Sequence, residues 1–396
     1  MRTERTREMI DCKNVTRKFL RCLSISAAIL TVLGATVSSV SAQTILTGFL
    51  YVSDYSRSDL DRYQFSYNAA TGARTTGFTP YGYGGNTSDA TFITGGIKEG
   101  LQGTANDIIV VGTNGAILTR YDLNGNKIGD ITISGYPSGV TALQGIGNVA
   151  ITSDGKFMYA PDETAGYIYK INLITGHIDN FVAFTGVHDV AIGSDGTVYA
   201  AGYTTTTGVN IYSANLSLYK NLIPNATMIK PTGISLTTDT NGNTTGAYIM
   251  SQNTSGSNGP DSVYKYSFTG TGSGEIETLI SNNAFANLRF SFGNAIGPDG
   301  NVYSAELGAV FGTNTGYTGG VYMFNTTALT STSVINGSTY GSPNTYGLGN
   351  LGAPKYLQFS TNFIKVGDAG VPEPGNVAML VGMGLAGTFI LRKRKK

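Results

Sequence analysis

Residues 148–160 read NVAITSDGKFMYA, residues 189–200 read DVAIGSDGTVYA, and residues 294–304 read NAIGPDGNVYS. These are three copies of one phrase. Each opens with an alternating apolar run and turns on Asp-Gly: Asp154-Gly155, Asp195-Gly196, Asp299-Gly300. Each then continues into a second run of β-branched and aromatic residues. Alternation puts every second side chain on one face of a strand. Glycine accepts the positive φ of a tight turn because it has no Cβ. Asp-Gly between two such runs therefore predicts a hairpin. A third tyrosine- or phenylalanine-bearing strand follows each copy, at 167–171, 209–212 and 321–324.

Looser copies begin at Gly48, Asp107 and Gly246, with third strands at 60–65, 117–121 and 263–266. The second strands start near 49, 107, 157, 197, 246 and 301, so successive units are 40 to 58 residues apart. A sheet of three or four strands has two open faces and cannot bury both alone. Radial stacking of such sheets buries them, and this period is that of a β-propeller. A parallel β-helix would repeat about twice as often. The reading is all-β, a β-propeller with six blades favoured and seven as the alternative. The strands at Tyr356–Phe359 and Phe363–Val366 read as a further pair. They either complete the N-terminal blade, which lacks an innermost strand, or found a seventh.

Composition agrees. The chain has 396 residues with 54 Gly, 24 Tyr, 17 Phe and no Trp, and charged residues make up 13%. Such a chain forms helix poorly and strand well. Between residues 43 and 391 it carries 14 basic and 22 acidic residues, a net charge of −8. Nucleic acid is excluded as a partner on that ground, since phosphate binding needs a basic surface. The two cysteines, Cys12 and Cys22, both lie in the N-terminal extension, so the repeat can hold no disulfide, thiol nucleophile or cysteine-bound metal.

The two ends read as addresses. A basic segment precedes an apolar, small-residue run over 23–40, and Val40-Ser41-Ala42 is acceptable to a signal peptidase before Gln43. Residues 1–42 are thus a predicted signal peptide, cleaved between Ala42 and Gln43, and 43–370 the propeller domain. Residues 371–396 begin with Val371, Pro372, Glu373 and Pro374, pass through an uncharged run from Val377 to Leu391, and end in Arg392, Lys393, Arg394, Lys395 and Lys396. Fifteen helical residues span about 22 Å, a short transmembrane helix. The basic tail would stop transfer and stay in the cytoplasm. This combination resembles the PEP-CTERM sorting signal of Gram-negative bacteria. The resemblance implies recognition by an exosortase, an intermediate in the inner membrane, and release to the cell surface or to an extracellular polysaccharide matrix. Extracellular polysaccharide is then the expected partner.

The repeat units resemble propellers of the NHL and gluconolactonase type. That resemblance covers residues 44–368 at the level of fold. In the gluconolactonase type a divalent metal sits where innermost strands reach the central channel, held by Glu, Asn and Asp. The matching positions, six before the turn Asp, are Asn148, Asp189, Gly233 and Gly293, with His188 and Asn294 adjacent. Two are glycine and none is Glu. The expectation is a non-enzymatic binding or structural protein with no catalytic residue, metal or cofactor. The alternative is a metal-dependent, lactonase-like hydrolase acting outside the cytoplasm through Asn148, His188, Asp189 and Asn294. His188 reads as a surface or channel-rim residue. Asp122–Asn126 and Asp239–Asn243 look like pieces of a calcium loop but lack its closing Glu, and read better as hairpin turns.

Mass spectrometry of exported protein is expected to find Gln43 at the N-terminus and no Arg392–Lys396 tail. Replacing Pro372, Glu373 and Pro374 together with Ala should hold the chain in the inner membrane. Normal export and trimming of that variant would make the tail an ordinary anchor.

Overall fold

The computed structural model describes residues 44–365 except 55–58, 84–96, 100–108, 113–116, 122–126, 205–207, 224–227, 229, 253–260, 271–275, 285–290, 307–318, 326–329, 337–353 and 361–363. The described residues form strands and no helix. No helix among them is long and apolar enough to cross a membrane. The signal-peptide, sorting-motif and basic-tail segments, with Ala42 and Gln43, lie outside the described residues.

The strands are β1 (Ile45–Asp54), β2 (Asp59–Asn68) and β3 (Thr79–Tyr83), then β4 (Ile97–Glu99), β5 (Ile109–Gly112), β6 (Ile117–Tyr121) and β7 (Lys127–Thr132). Next come β8 (Ala150–Ile151), β9 (Phe157–Asp162), β10 (Tyr167–Asn172) and β11 (Ile178–Ala183), followed by β12 (Val187–Ile192), β13 (Val198–Gly202), β14 (Gly208–Tyr212) and β15 (Leu218–Ile223). The rest are β16 (Pro231–Thr238), β17 (Thr244–Ser251), β18 (Ser262–Thr269), β19 (Ile276–Ala284), β20 (Ser291–Ile296), β21 (Val302–Glu306), β22 (Gly320–Asn325), β23 (Thr330–Asn336), β24 (Pro354–Phe359) and β25 (Ile364–Lys365). Five sheets take four consecutive strands each in antiparallel order. The sixth is β24-β1-β2-β3, with β25 also paired to β1.

The three Asp-Gly phrases are the inner hairpins of their sheets. Gly155, Gly196 and Gly300 have φ of 70°, 84° and 76°. In each turn the preceding Asp accepts the backbone N–H two residues on, from Lys156 to Asp154 at 3.1 Å, Thr197 to Asp195 at 2.9 Å and Asn301 to Asp299 at 3.1 Å. The carboxylate thus mimics a backbone turn. Asp239–Asn243 forms a fourth such hairpin, with Asp239 accepting from the N–H groups of Asn241 and Asn243 at 2.8 Å each. Residues 122–126 lie outside the described residues.

Each sheet buries its faces against the next. Leu118 and Ile131 meet Met158 and Tyr169, joining β4–β7 to β8–β11. Tyr159 and Ile168 meet Val190 and Val198, and Tyr199 and Ile211 meet Ile234 and Ile249. Met250 and Val263 meet Val302 and Phe324, and Tyr303 and Val321 meet Leu357 and Phe359. β24 and β1 touch β4, which closes the ring. The result is a β-propeller.

Closure joins the two ends of the domain. Tyr356–Phe359 pairs antiparallel with Ser53–Leu50, and Ile364 and Lys365 pair with Thr47 and Leu46. The two late segments do not pair with each other, as the sequence suggested. They lie one after the other along the ten-residue edge of β1. Phe359 anchors this seam, edge-on to Phe65 at 5.3 Å and to Tyr303 at 4.8 Å. Replacing Phe359 with Ala should destabilise the domain by about 3–5 kcal/mol, the usual cost of deleting a buried aromatic ring. A chain ended at residue 353 should lose its cooperative urea transition. An unchanged midpoint in either case would show that the seam is not structural.

Candidate functional site

The site is built by a bulge repeated at the start of the innermost strands. In β12 the register passes from Val187–Gly202 to Asp189–Ala201, leaving His188 as the extra residue. In β16 it passes from Pro231–Ser251 to Gly233–Met250, leaving Thr232. In β20 the shift falls between Ser291 and Asn294, across Phe292 and Gly293. In β24 it falls between the Ser53–Tyr356 and Asp54–Pro354 pairs, leaving Lys355. A bulge breaks the two-residue alternation and re-aims a side chain. Here His188 and Phe292, two sheets apart, come within 4.9 Å.

His188 is the hub and is fully buried, not on the rim as its sequence context suggested. Its Nδ1 lies 2.7 Å from the Thr232 carbonyl. A carbonyl can only accept, so Nδ1 carries the proton and Nε2 is the acceptor. The Tyr356 hydroxyl donates to Nε2 at 3.3 Å. The Tyr356 and Tyr203 rings stand 5.6 and 6.0 Å from the imidazole. Burial, and then the nearby Lys355 ammonium, push the imidazole pKa down to about 3. It is therefore neutral, and its 4.0 Å approach to Glu163 Oε2 is no ion pair.

Charged groups ring this hub. Glu163 follows β9 and is about one-third exposed. Burial raises its pKa and Lys355 opposes that rise. Burial lowers the Lys355 pKa and Glu163 opposes that fall. The Lys355 ammonium sits 5.3 Å from the centres of the Phe292 and Tyr356 rings. Lys230 sits 5.3 Å from the Tyr203 ring. Its φ of 48° is left-handed, directly before Pro231. That conformation costs a non-glycine residue about 1–2 kcal/mol. A cation over a ring contributes about 0.5–2 kcal/mol.

The other three residues expected from sequence, Asn148, Asp189 and Asn294, bond between innermost strands. Asp189 Oδ2 accepts the Ile234 N–H at 2.8 Å. Asn294 donates to the Tyr248 carbonyl at 3.1 Å and accepts from Ser235 at 3.2 Å. Asn148 is buried, bridges in parallel to Asp189, and its N–H donates to the His188 carbonyl at 3.0 Å. These bonds tie one innermost strand to the next. Among the described residues no three His, Cys, Asp or Glu stand together as a metal site. Sequence reading missed Glu163, Tyr203, Lys230, Phe292, Lys355 and Tyr356. The one available signal was position: His188, Thr232 and Phe292 all stand seven residues before the Asp of their turn, one earlier than the positions chosen.

No protein family and no curated protein matches the sequence. The chain is similar in structure to the nidogen/laminin complex, at 10% identity and a TM-score of 0.49 over 79% of this chain and 98% of that one. It is also similar to a Pseudomonas aeruginosa periplasmic gluconolactonase, at 12% identity and a TM-score of 0.47 over 79% and 99%. A Bacteroides fragilis putative 6-phosphogluconolactonase matches at 16% identity and a TM-score of 0.46 over 82% and 100%. Likenesses this distant bear on no residue and no activity of this chain.

The buried imidazole makes stability depend on pH. An unfolded histidine takes a proton below about pH 6.5. The folded His188 does not until about pH 3. The unfolded state thus binds more protons in that window, and stability falls as pH drops, by up to about 1.4 kcal/mol per pH unit. Urea denaturation at neutral and mildly acidic pH should show a smaller loss for His188→Gln than for the native chain. Equal losses would mean that His188 does not carry the effect.

Proposed function

We propose that the ring of six sheets is the complete, six-bladed propeller of an exported bacterial protein. It works at the cell surface or in the extracellular matrix and binds extracellular polysaccharide without turning it over. The sorting motif supports export, through signal peptidase at Ala42–Gln43 and an exosortase acting on Val371–Pro374. The observation that carries the binding role is the cluster around His188. Five sheets bring Tyr203, Phe292 and Tyr356, two lysines and Glu163 around His188. The half-buried Tyr203 and Phe292 rings, flanked by polar groups, suit a sugar, whose ring offers an apolar face and hydroxyl edges, whereas Tyr356 is itself fully buried. The bonds that Asp189 and Asn294 make between strands support a structural role for them and not that of metal ligands.

The mature exported protein should retard in affinity electrophoresis through polysaccharide from the producing cells. Binding should survive chelation, and purified protein should contain no stoichiometric metal and hydrolyse no sugar lactone. Lactone hydrolysis abolished by chelation would overturn this reading in favour of a metal-dependent hydrolase.

A further inference from the structure

We propose that Glu163 reads a pair of adjacent hydroxyls on a neutral hexose while the Tyr203 ring takes the sugar face, so that the cluster around His188 accepts neutral polysaccharide and turns uronates away. This rests on the polysaccharide-binding reading and names the class of saccharide.

The cluster is rich in hydrogen-bond acceptors. His188 Nε2 takes the Tyr356 hydroxyl and has no proton to give. Glu163 Oε2 lies 4.0 Å from that nitrogen, so two acceptors stand side by side. The Glu163 N–H donates to the Gly145 carbonyl at 2.8 Å, which fixes the residue directly after β9. Among the described residues its carboxylate accepts no hydrogen bond, and about one-third of the side chain is exposed. An ionised carboxylate has two oxygens and no donor, so it asks its ligand for protons. The neighbouring hydroxyls of a hexose supply two, and the half-buried Tyr203 ring can cover the apolar face of the same sugar.

Charge decides against an acidic sugar. Asp162 accepts the N–H groups of Gln144 at 2.9 Å and Ala165 at 3.0 Å, and Asp189 accepts that of Ile234 at 2.8 Å. Ser291, beside Phe292, donates its N–H to Asp261 at 2.8 Å and its hydroxyl to Glu306 at 2.6 Å. A hydrogen bond leaves a carboxylate its charge. With Glu163 these are five carboxylates against the ammonium groups of Lys230 and Lys355, and His188 is neutral. A uronate would add a further negative charge to a negative cluster and would set its own carboxylate against Glu163. A neutral hexose meets no such opposition.

Calorimetry on the mature protein would compare a cello-oligosaccharide with an oligogalacturonate of equal length at low salt. The neutral probe should bind about tenfold more tightly, and added salt should narrow the gap. Glu163→Gln should weaken the neutral probe by about three- to tenfold and tighten the acidic one. Glu163→Asp keeps the charge but withdraws it by one methylene. It should weaken the neutral probe and leave the acidic one unchanged, which separates reach from net charge. Burial raises the Glu163 pKa, against Lys355 and with Asp162, so the native chain should lose affinity for the neutral probe on mild acidification. Tyr203 and Tyr356 stay protonated there, and His188 stays neutral down to about pH 3. Glu163→Gln should show no such loss. An acidic probe that binds as tightly as the neutral one, or affinity for the neutral probe that changes neither with Glu163→Gln nor with pH, would overturn the proposal. So would retention by the cells' own polysaccharide with neither probe bound. Each of these leaves the polysaccharide reading in place. Failure to bind either probe or that polysaccharide would overturn both.

Discussion

How near the innermost strands can come to one another sets the dimensions of this ring. At the repeat position six residues before the turn Asp, a Cβ on Gly233 would lie 2.9 Å from Asn294 Oδ1, and one on Gly293 would lie 2.9 Å from Tyr356 Cδ1. Both are closer than a real Cβ approaches its neighbours, so any larger residue would push the strands apart. On the other side of the ring the same position holds Asn148 and Asp189, whose backbones bridge directly. Thr232 adds a 2.7 Å bond to the Ser291 carbonyl. Contact at the axis is thus made by absence of a side chain on one side and by backbone bridging on the other. With every strand in its pleat, the axis would be filled. The bulges lift one residue per strand out of that layer.

This explains why the chemistry stands above the tie layer and not within it. Polar groups in the tie layer hold strands, and exchanging those bonds for a ligand would open the ring. The lifted residues face one another instead. Phe292, one of them, joins Tyr203 and Tyr356 around His188, whose burial keeps it neutral, while the lysines and Glu163 retain partial access to solvent. A neutral imidazole with a fixed tautomer works here as a strut between Thr232 and Tyr356.

The hairpins were legible because their signal is local. Asp-Gly needs only the next few residues to define it, and alternation declares which side faces inward. Closure was half legible. The late apolar segments were visible, but only pairing with β1 shows that they run end to end along one edge. The cluster around His188 was not legible. Glu163, Lys230, Phe292 and Lys355 come from four different sheets, and nothing near any of them in sequence marks it out. A bulge adds one residue to the register, so counting back from the turn landed on the tie position and missed its neighbour. His188 was noticed, yet a Gly-Val-His-Asp context gives no sign that three aromatic rings will cover it.

The seam between β24 and β1 has a consequence for how copies of this protein meet. Until residues 354–365 arrive, β1 offers an open, ten-residue edge beside an uncovered apolar face. That edge cannot distinguish its own β24 from the identical strand of another chain. The tether gives the chain's own strand a high effective concentration, so dilute protein closes on itself. In a crowded layer the balance shifts toward strand exchange, in which each ring is completed by its neighbour's last strand. Such exchange would link rings without any new interface.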